Sequence, residues 1–210
     1  MPLAKRGSRV DGIFEELLGQ LVQGKGLETL ARRVGATEEA TADATRSALP
    51  VLFGALSRNA VSARGAQALL GAIERDHDGG ILDDLVGSLA GGGVEGGSGE
   101  SILGHVLGDR QAHLEEELGR TTGLDGASIS KLLAAVVPLV MGSLGSAQKE
   151  HRMGPQEFGY ELGRVAKVGE ESLGERFGIL GSLLDSDGDG RVDEGVVRAG
   201  KSLLSRLLRR

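Results

Sequence analysis

The sequence predicts an all-α, multi-helical protein built from two related helical units. Leucine, valine and isoleucine recur at spacings of three and four residues in both halves, for example at Leu17, Leu18 and Leu21, which is typical of amphipathic helices. No stretch shows the sustained alternation of apolar and polar residues that a half-buried strand needs. Residues 30–56 align without a gap on residues 118–144, so the pattern repeats at a constant offset of 88 residues.

Matched residues at predicted helix ends and breaks indicate the order of elements within each unit. Gly35 and Gly123 stand where a helix should end, because glycine adopts the left-handed conformation of a helix C-cap without strain. Thr37 and Asp125 then stand where N-caps of the next helix are expected. Further along, Pro50 and Pro138 must either open a new helix or interrupt a long one, and the sequence leaves these two alternatives open.

Composition limits the class of protein. Glycine accounts for 36 of 210 residues, but it follows no three-residue period, so the chain is not collagen-like, and 40 % hydrophobic residues argue against global disorder. Several glycines interrupt apolar helical segments and predict either close approach between helices or mere breaks between short helices. The pairs in question are Gly104 with Gly108, Gly142 with Gly145, and Gly178 with Gly181.

The repeat also predicts the domain organisation. Residues 1–90 form the first helical unit, residues 91–100 a glycine-rich linker, and residues 101–210 the second unit. The second unit aligns fully only if it carries an insertion around 149–174, where charged residues interrupt the apolar pattern. We therefore expect two homologous units joined by a short linker.

The acidic loop at 185–194 has the spacing of an EF-hand calcium loop. Carboxylates at alternate positions converge on one hard cation, and the glycine at position 6 permits the sharp turn. Position 12 is Val196 rather than a glutamate, so Glu194 or water would have to complete the ligand shell and calcium binding should be weak. The candidate ligands are Asp185, Asp187, Asp189, Asp193 and Glu194.

A second, weaker loop of this kind lies at 74–84 in the first unit. Its candidate ligands are Glu74, Asp76, Asp78 and Asp83. In both loops the alternative is an Asx-type turn whose aspartates cap the following helix and complement its dipole. Only calcium binding predicts a thermal shift when calcium is added.

No catalytic motif is found in the sequence, so we expect a protein that is not an enzyme and has no small-molecule substrate. It has no cysteine, no pair of histidines at metal-ligand spacing, no nucleophile elbow and no phosphate-binding glycine loop. The N-terminus has no apolar region of a secretory signal, which favours a cytoplasmic location. The longest apolar run, at 132–142, is well short of the roughly 18 residues of a membrane span.

Basic residues cluster at both termini of an otherwise acidic chain of net charge −6. The pattern of residues 196–210 predicts a basic amphipathic helix. Such a helix could contact anionic lipid or an acidic partner, or its leucines could pack on its own domain. Residues 30–46 have the spacing of a helix-turn-helix, but Glu38, Glu39 and Asp43 would face phosphates. Nucleic-acid binding is therefore disfavoured, and a surface role of the basic termini on membranes or nucleic acid is the alternative function.

The succession of GAIERDHDGGILDDLVGSLAGG, GESILGHVLGDR, SISKLLAAVVPLVMGSLG and LLDSDGDGRV resembles the YidB-like family of bacterial domains of unknown function. The resemblance implies an all-helical fold and a bacterial cytoplasmic setting. It implies no activity, substrate or catalytic residue. From the repeated units and the glycines in the helices, we expect a module that binds a protein partner or itself, with calcium as its one candidate cofactor.

Overall fold

The computed structural model describes residues 11–76, 79–91 and 98–173. Over these ranges the regular structure is helical throughout, which confirms the predicted all-α class. Short 3-10 turns lie at Gly80–Leu82 and Gly108–Arg110. The α-helices are α1 (Asp11–Val22), α2 (Gly24–Val34), α3 (Glu38–Asn59), α4 (Ala63–Asp76), α5 (Leu85–Leu89), α6 (Ser98–Leu107), α7 (Gln111–Thr122), α8 (Gly126–His151) and α9 (Pro155–Leu173).

The predicted caps at the two matched turns are confirmed. Gly35 ends α2 with φ at 81° and Gly123 ends α7 with φ at 75°, both in the left-handed region that favours glycine. Thr37 begins α3 and Asp125 begins α8, and each side chain accepts a hydrogen bond from the amide three residues later, at 3.2 and 2.7 Å. The same local sequence signals therefore produce the same turn twice.

The two prolines lie inside long helices rather than at helix starts. Pro50 is buried in the middle of α3, and Pro138 is buried in the middle of α8. A proline in a helix interior removes one backbone hydrogen bond and costs about 3 kcal/mol. Both helices nevertheless continue, because they lie at the centre of the protein and their packing on all sides compensates for this cost.

A large hydrophobic cluster includes side chains from both predicted units. Phe14 of α1 packs edge-on against Phe53 of α3, with ring centroids 5.9 Å apart. The same cluster includes fully buried side chains of α8 and of α9, such as Val137 and Phe158. Over the described residues, the two units therefore share this core.

Contacts between helices recur in matching pairs. In the first half α1 and α2 pack on α3, and in the second half α6 and α7 pack on α8. Across the halves α1 and α2 also contact α8, as α6 and α7 contact α3. Similarly α4 packs on α8, and α9 packs on α3. The pattern is incomplete. In particular, α1 contacts α9, whereas α6 and α4 leave a groove between them.

The described part of the region predicted as an insertion, 149–173, forms the end of α8, a short turn and α9. One face of α9 is buried through Phe158, Leu162 and Val165, and it packs along α3. A Cβ atom on Gly169 would lie only 2.9 Å from Cβ of Pro50, so the two helix backbones come very close. This region therefore belongs to the hydrophobic core.

Residues 98–100 of the predicted linker are helical, because α6 begins at Ser98, whereas Gly91 lies in a turn. Residues 92–97 of the linker lie outside the described residues. The glycine pairs behave differently from one another: Gly142 is in close contact with the 3-10 turn at Gly80–Leu82, whereas a Cβ atom on Gly104 would have no neighbouring atom within 4 Å. Gly178 and Gly181 are beyond the described part of the chain.

Helix α8 is long and apolar enough to cross a membrane by length and composition, although its longest uninterrupted apolar run is short. Its most apolar 18-residue window has a mean hydropathy of 1.7. In the structure 78 % of that window is buried against other helices. Packing in the core is therefore sufficient to explain its apolar character.

Candidate functional site

A groove of about 560 Å³ lies between α4 and α6. Both helices pack on α8, whose Met141 side chain forms the floor of the groove and is only 4 % exposed. The volume is within the range of binding pockets, about 300–1,000 Å³. The groove is thus a ready-formed concave surface between two helices.

The groove has an apolar lining because one stripe of α4 combines small residues with leucine. Residues spaced at i, i+3, i+4 and i+7 lie on one face of a helix, and on α4 these are Gly65, Ala68, Leu69 and Ala72. The opposite wall consists of α6, which contributes the half-buried side chains of Ile102 and Val106. Small side chains on one wall leave room between the helices, and aliphatic side chains make the space hydrophobic.

Polar groups surround this apolar lining. Arg75 and Asp76, at the end of α4, lie at one side, and His105 of α6 lies at another. Asn59, at the end of α3, donates a hydrogen bond from Nδ2 to the carbonyl oxygen of Val106 at 3.2 Å, which fixes α6 relative to α3. An apolar centre with a polar rim is the arrangement found in protein interfaces.

The first acidic loop is docked on α8. Ile81 in the 3-10 turn lies against Gly142, where a Cβ atom would clash with its Cγ2 methyl group. Gly79 has φ at 96° and lies against Ser146, one turn further along α8. The loop glycine thus has the left-handed conformation expected at the sharp turn of an acidic loop.

Asp84 caps the short helix α5 that follows this loop. Its carboxylate accepts a hydrogen bond from the amide of Gly87 at 2.9 Å. At the other end of α5, Arg33 donates to the carbonyl oxygens of Ser88 and Leu89, at 3.3 and 3.0 Å. Capping therefore explains one aspartate of the loop region, although Asp84 is not among the candidate calcium ligands.

The candidate ligands of the first loop are separated in the described structure. Glu74 accepts a hydrogen bond from Gln148 at 3.5 Å, and Asp76 lies 4.0 Å from Arg75. Asp83 is exposed and directly follows the 3-10 turn. Asp78 is outside the described ranges, as are all candidates of the second loop: Asp185, Asp187, Asp189, Asp193 and Glu194. Within the described ranges, no three histidine, aspartate or glutamate side chains converge as metal ligands would.

Asp83 instead lines a polar cavity of about 440 Å³ between α1, α8 and the loop. Glu16 and Glu150 also line this cavity, together with His151. Among the residues that the structure describes, the lining contains these three carboxylates and no lysine or arginine, so its charge is negative near neutral pH. The acidic loop therefore contributes one wall of a negatively charged surface.

The segment with helix-turn-helix spacing is part of the core. From Thr41 onward, α3 is mostly buried, and Thr41 itself is 0 % exposed. The more exposed residues of its first turns include the carboxylates of Glu38, Glu39 and Asp43. This helix therefore presents negative charge, rather than a basic reading face, to solvent.

Sequence reasoning missed the α4–α6 groove. A signal was present in the row of small residues along α4, but such a row predicts close helix packing equally well. Which of the two occurs depends on how α4 and α6 lie on α8, and local spacing contains no information about that.

The fold and the groove define an all-α protein whose candidate site is a helix-lined, apolar groove. The chain belongs to the DUF937 family of bacterial proteins of unknown function, which matches residues 16–147. This confirms the resemblance to the YidB-like bacterial domains. The match extends from α1 into α8 and ends before α9. No curated protein and no solved structure matches the chain.

Proposed function

We propose that this protein is a non-enzymatic bacterial interaction module that binds a protein partner, or a second copy of itself, through the α4–α6 groove. The observation that supports the proposal is the combination in one place of an open apolar groove, small side chains on one wall and a polar rim. Amphipathic helices bind such grooves by inserting apolar side chains at spacings of three and four residues. We also propose a cytoplasmic location, which the resemblance to the YidB-like bacterial domains implies.

The energetics of such binding are modest. Burying one aliphatic side chain contributes about 1.5–3 kcal/mol, so three anchors supply several kcal/mol. Association itself costs at least about 4 kcal/mol in lost freedom of motion. We therefore expect reversible binding rather than a permanent complex.

We also propose that the two helical units arose by duplication of one unit. The proposal is supported by the constant offset of 88 residues, by the matched caps at Gly35 and Gly123, and by the prolines inside both central helices. The recurring helix contacts agree with it. Two related units could present similar surfaces to two partners, which favours assembly.

Binding of a second copy through the groove is tested by a substitution that places a charge in the groove. Ala68 is exposed, lines the groove and lies within α4, so Ala68→Glu should leave the fold intact. Ala112→Glu is the matched control, because Ala112 is exposed on α7 and does not line the groove. Light scattering over a range of concentrations should show association of the wild type and the control, and less association of Ala68→Glu. A monomer at every concentration, with and without calcium, would contradict self-assembly.

Weak calcium binding by the acidic loops is the second part of the proposal. It is supported by the alternating carboxylates of 185–194 and by the left-handed conformation of Gly79 in the related loop 74–84. Affinities of about 10⁻⁴ to 10⁻³ M are expected for loops with an incomplete ligand set. Calcium would then stabilise the folded protein rather than take part in chemistry.

The alternative function is association with membranes or nucleic acid through the basic termini. It depends on residues 1–10 and 196–210, both beyond the described part of the chain. Replacing Arg206, Arg209 and Arg210 by glutamine in the full chain should abolish co-sedimentation with anionic liposomes or DNA if this alternative is right. Unchanged co-sedimentation, or none with the wild type, would remove it.

A further inference from the structure

The α4–α6 groove occupies the place that a helix contact fills in the other half of the protein. Helix α9 packs against α1, and its Gly169 lies close to Phe14 and Pro50. In the pattern of recurring contacts, α6 takes the place of α1 and α4 takes the place of α9. The space that is filled between α1 and α9 is thus open between α6 and α4.

Two differences in sequence explain why the groove is open. Met141 stands 88 residues after Phe53. Leu103 stands 89 residues after Phe14, because residues 102–110 align on residues 13–21, so two smaller side chains take the places of an aromatic pair. In addition, α4 has 14 residues whereas α9 has 19. The shorter helix and the smaller side chains together leave an apolar space open between α4 and α6. The matching space between α9 and α1 is filled by side chains.

We propose that the segment 196–210 of the same chain occupies this groove as an amphipathic helix. This inference rests on the proposed function and names the ligand that competes for the same site. The segment VVRAGKSLLSRLLRR carries Leu203, Leu204, Leu207 and Leu208 at helical spacing. These leucines match the aliphatic lining of Leu69, Ile102 and Val106. Among its basic residues, Arg206 or Lys201 would meet the carboxylate of Asp76 at the rim.

The length of the chain favours binding within one molecule. The structure describes α9 up to Leu173, and 22 residues, 174–195, connect this point to the segment. Twenty-two residues reach at most about 75 Å, which exceeds the dimensions of a 210-residue domain with a radius of gyration of about 17 Å. A tether of this length gives an effective concentration of about a millimolar, so the intramolecular arrangement outcompetes a second copy at micromolar protein. Self-association through the groove is therefore expected only as the protein concentration approaches a millimolar.

The consequence is a groove that a partner must compete for. A partner helix would displace 196–210, and its apparent affinity would be lowered by the fraction of molecules in which the groove is occupied. The partner is therefore expected to be an amphipathic helix with leucine-type anchors and basic flanks, which is the chemistry of the segment that it displaces.

A cross-linking experiment tests the proposal in the full chain. The protein has no native cysteine, so two introduced cysteines react with a flexible bis-maleimide without competition. The test pair is Ala72→Cys in the groove with Leu207→Cys in the segment. The control pair is Ala112→Cys on α7 with Leu207→Cys. We expect the test pair to form an intramolecular link at least about 10-fold faster than the control pair, as expected for a bound rather than a merely tethered segment.

Each result of the cross-linking decides the proposal. Addition of Ala68→Glu to the test pair should lower its rate to that of the control pair, because the charge blocks the groove. Equal rates for test and control pairs would overturn the proposal. A test pair that forms mainly intermolecular links would overturn it as well, and would assign the groove to the segment of a second copy.

A binding experiment gives an independent measurement. A fluorescent peptide with the sequence of 196–210 should bind the full-length variant Leu203→Asp/Leu207→Asp at least about 10-fold more tightly than the wild type, whose groove is already filled. Absence of peptide binding to this variant would overturn the proposal. If Ala68→Glu still reduces self-association in that case, the groove is an interaction surface and only its assignment to 196–210 is wrong.

Discussion

Ile81 in the first acidic loop lies against Gly142 in the middle of α8, in the space that a Cβ atom on this glycine would occupy. The contact joins the loop after α4 to the long helix α8. It depends on a missing side chain, because a Cβ atom at 142 would take the space of the Cγ2 methyl group of Ile81. The position of the acidic loop is therefore encoded partly in a glycine that is 61 residues away in the chain (142 − 81).

Substitution of Gly142 by alanine is expected to destabilise the protein. Overpacking of a tight contact typically costs about 1–3 kcal/mol, which exceeds the gain of up to about 1 kcal/mol from replacing glycine by alanine inside a helix. The free energy of unfolding, measured by urea denaturation, should fall accordingly. The matched control is Gly71→Ala in α4, which has free space around the new methyl group and should be neutral or stabilising.

A double mutant assigns this loss to the contact. In an Ile81→Ala background the interfering methyl group is absent, so Gly142→Ala should cost little or become stabilising. Equal destabilisation by Gly142→Ala in both backgrounds would show that the contact with Ile81 is not its cause.

Truncation of Phe14 is expected to be among the more damaging core substitutions. Phe14 is 0 % exposed and packs on Phe53 in the contact region of α1, α3 and α9. Phe14→Ala should lower the free energy of unfolding by about 3–5 kcal/mol, because it leaves a cavity in a close-packed core. Tyr160→Ala is the aromatic control, since Tyr160 is 69 % exposed and should change stability by less than about 0.5 kcal/mol. Similar losses for both variants would contradict the assigned packing of α1.

The N-cap of α8 is expected to make stability depend on pH. The hydrogen bond from the amide of Ser128, reinforced by its side chain, holds the pKa of Asp125 below its ordinary value of 3.8. Because the pKa is lowered in the folded state, the stabilisation is fully present above pH 3.8 and is lost as the pH falls through the folded-state pKa. The melting temperature of the wild type should therefore decrease more steeply below about pH 4 than that of Asp125→Asn, which caps without titrating.

Thr37 provides the control for this cap. It begins α3 with the same geometry but carries no titratable group. Thr37→Asn should therefore shift the melting temperature equally at all pH values. A difference between the wild type and Asp125→Asn that is the same at pH 3 and pH 7 would contradict the lowered pKa of Asp125.

Calcium is expected to raise the melting temperature. With dissociation constants of about 10⁻⁴ to 10⁻³ M, 10 mM calcium would add about 1.4–2.7 kcal/mol of stability, or roughly 3–10 °C for a chain of this size. Magnesium at the same concentration should have a smaller effect. Asp187→Asn combined with Asp189→Asn should remove most of the calcium shift, whereas Asp76→Asn should remove less. Identical shifts for calcium and magnesium, or none, would leave capping as the function of these aspartates.

The sequence by itself determined the local structure of this protein. Helical periodicity is a property of neighbouring residues, and the caps at Gly35 and Asp125 depend on backbone conformation within one turn, so both could be predicted without knowledge of the fold. Whether Pro50 begins a helix or lies inside one could not be predicted. A proline is tolerated inside a helix only when packing against surrounding helices compensates for the lost hydrogen bond.

Only the tertiary structure decided which surfaces meet and which stay open. The small residues along α4 are compatible with a packed helix and with a groove, and the positions of α4 and α6 on α8 select the groove. The polar region after α8 contains α9, whose buried Phe158 and Val165 pack against a helix more than 90 residues earlier in the chain. Such contacts depend on the arrangement of whole helices. Burial of apolar surface is favourable against any complementary surface, whether near or far in sequence.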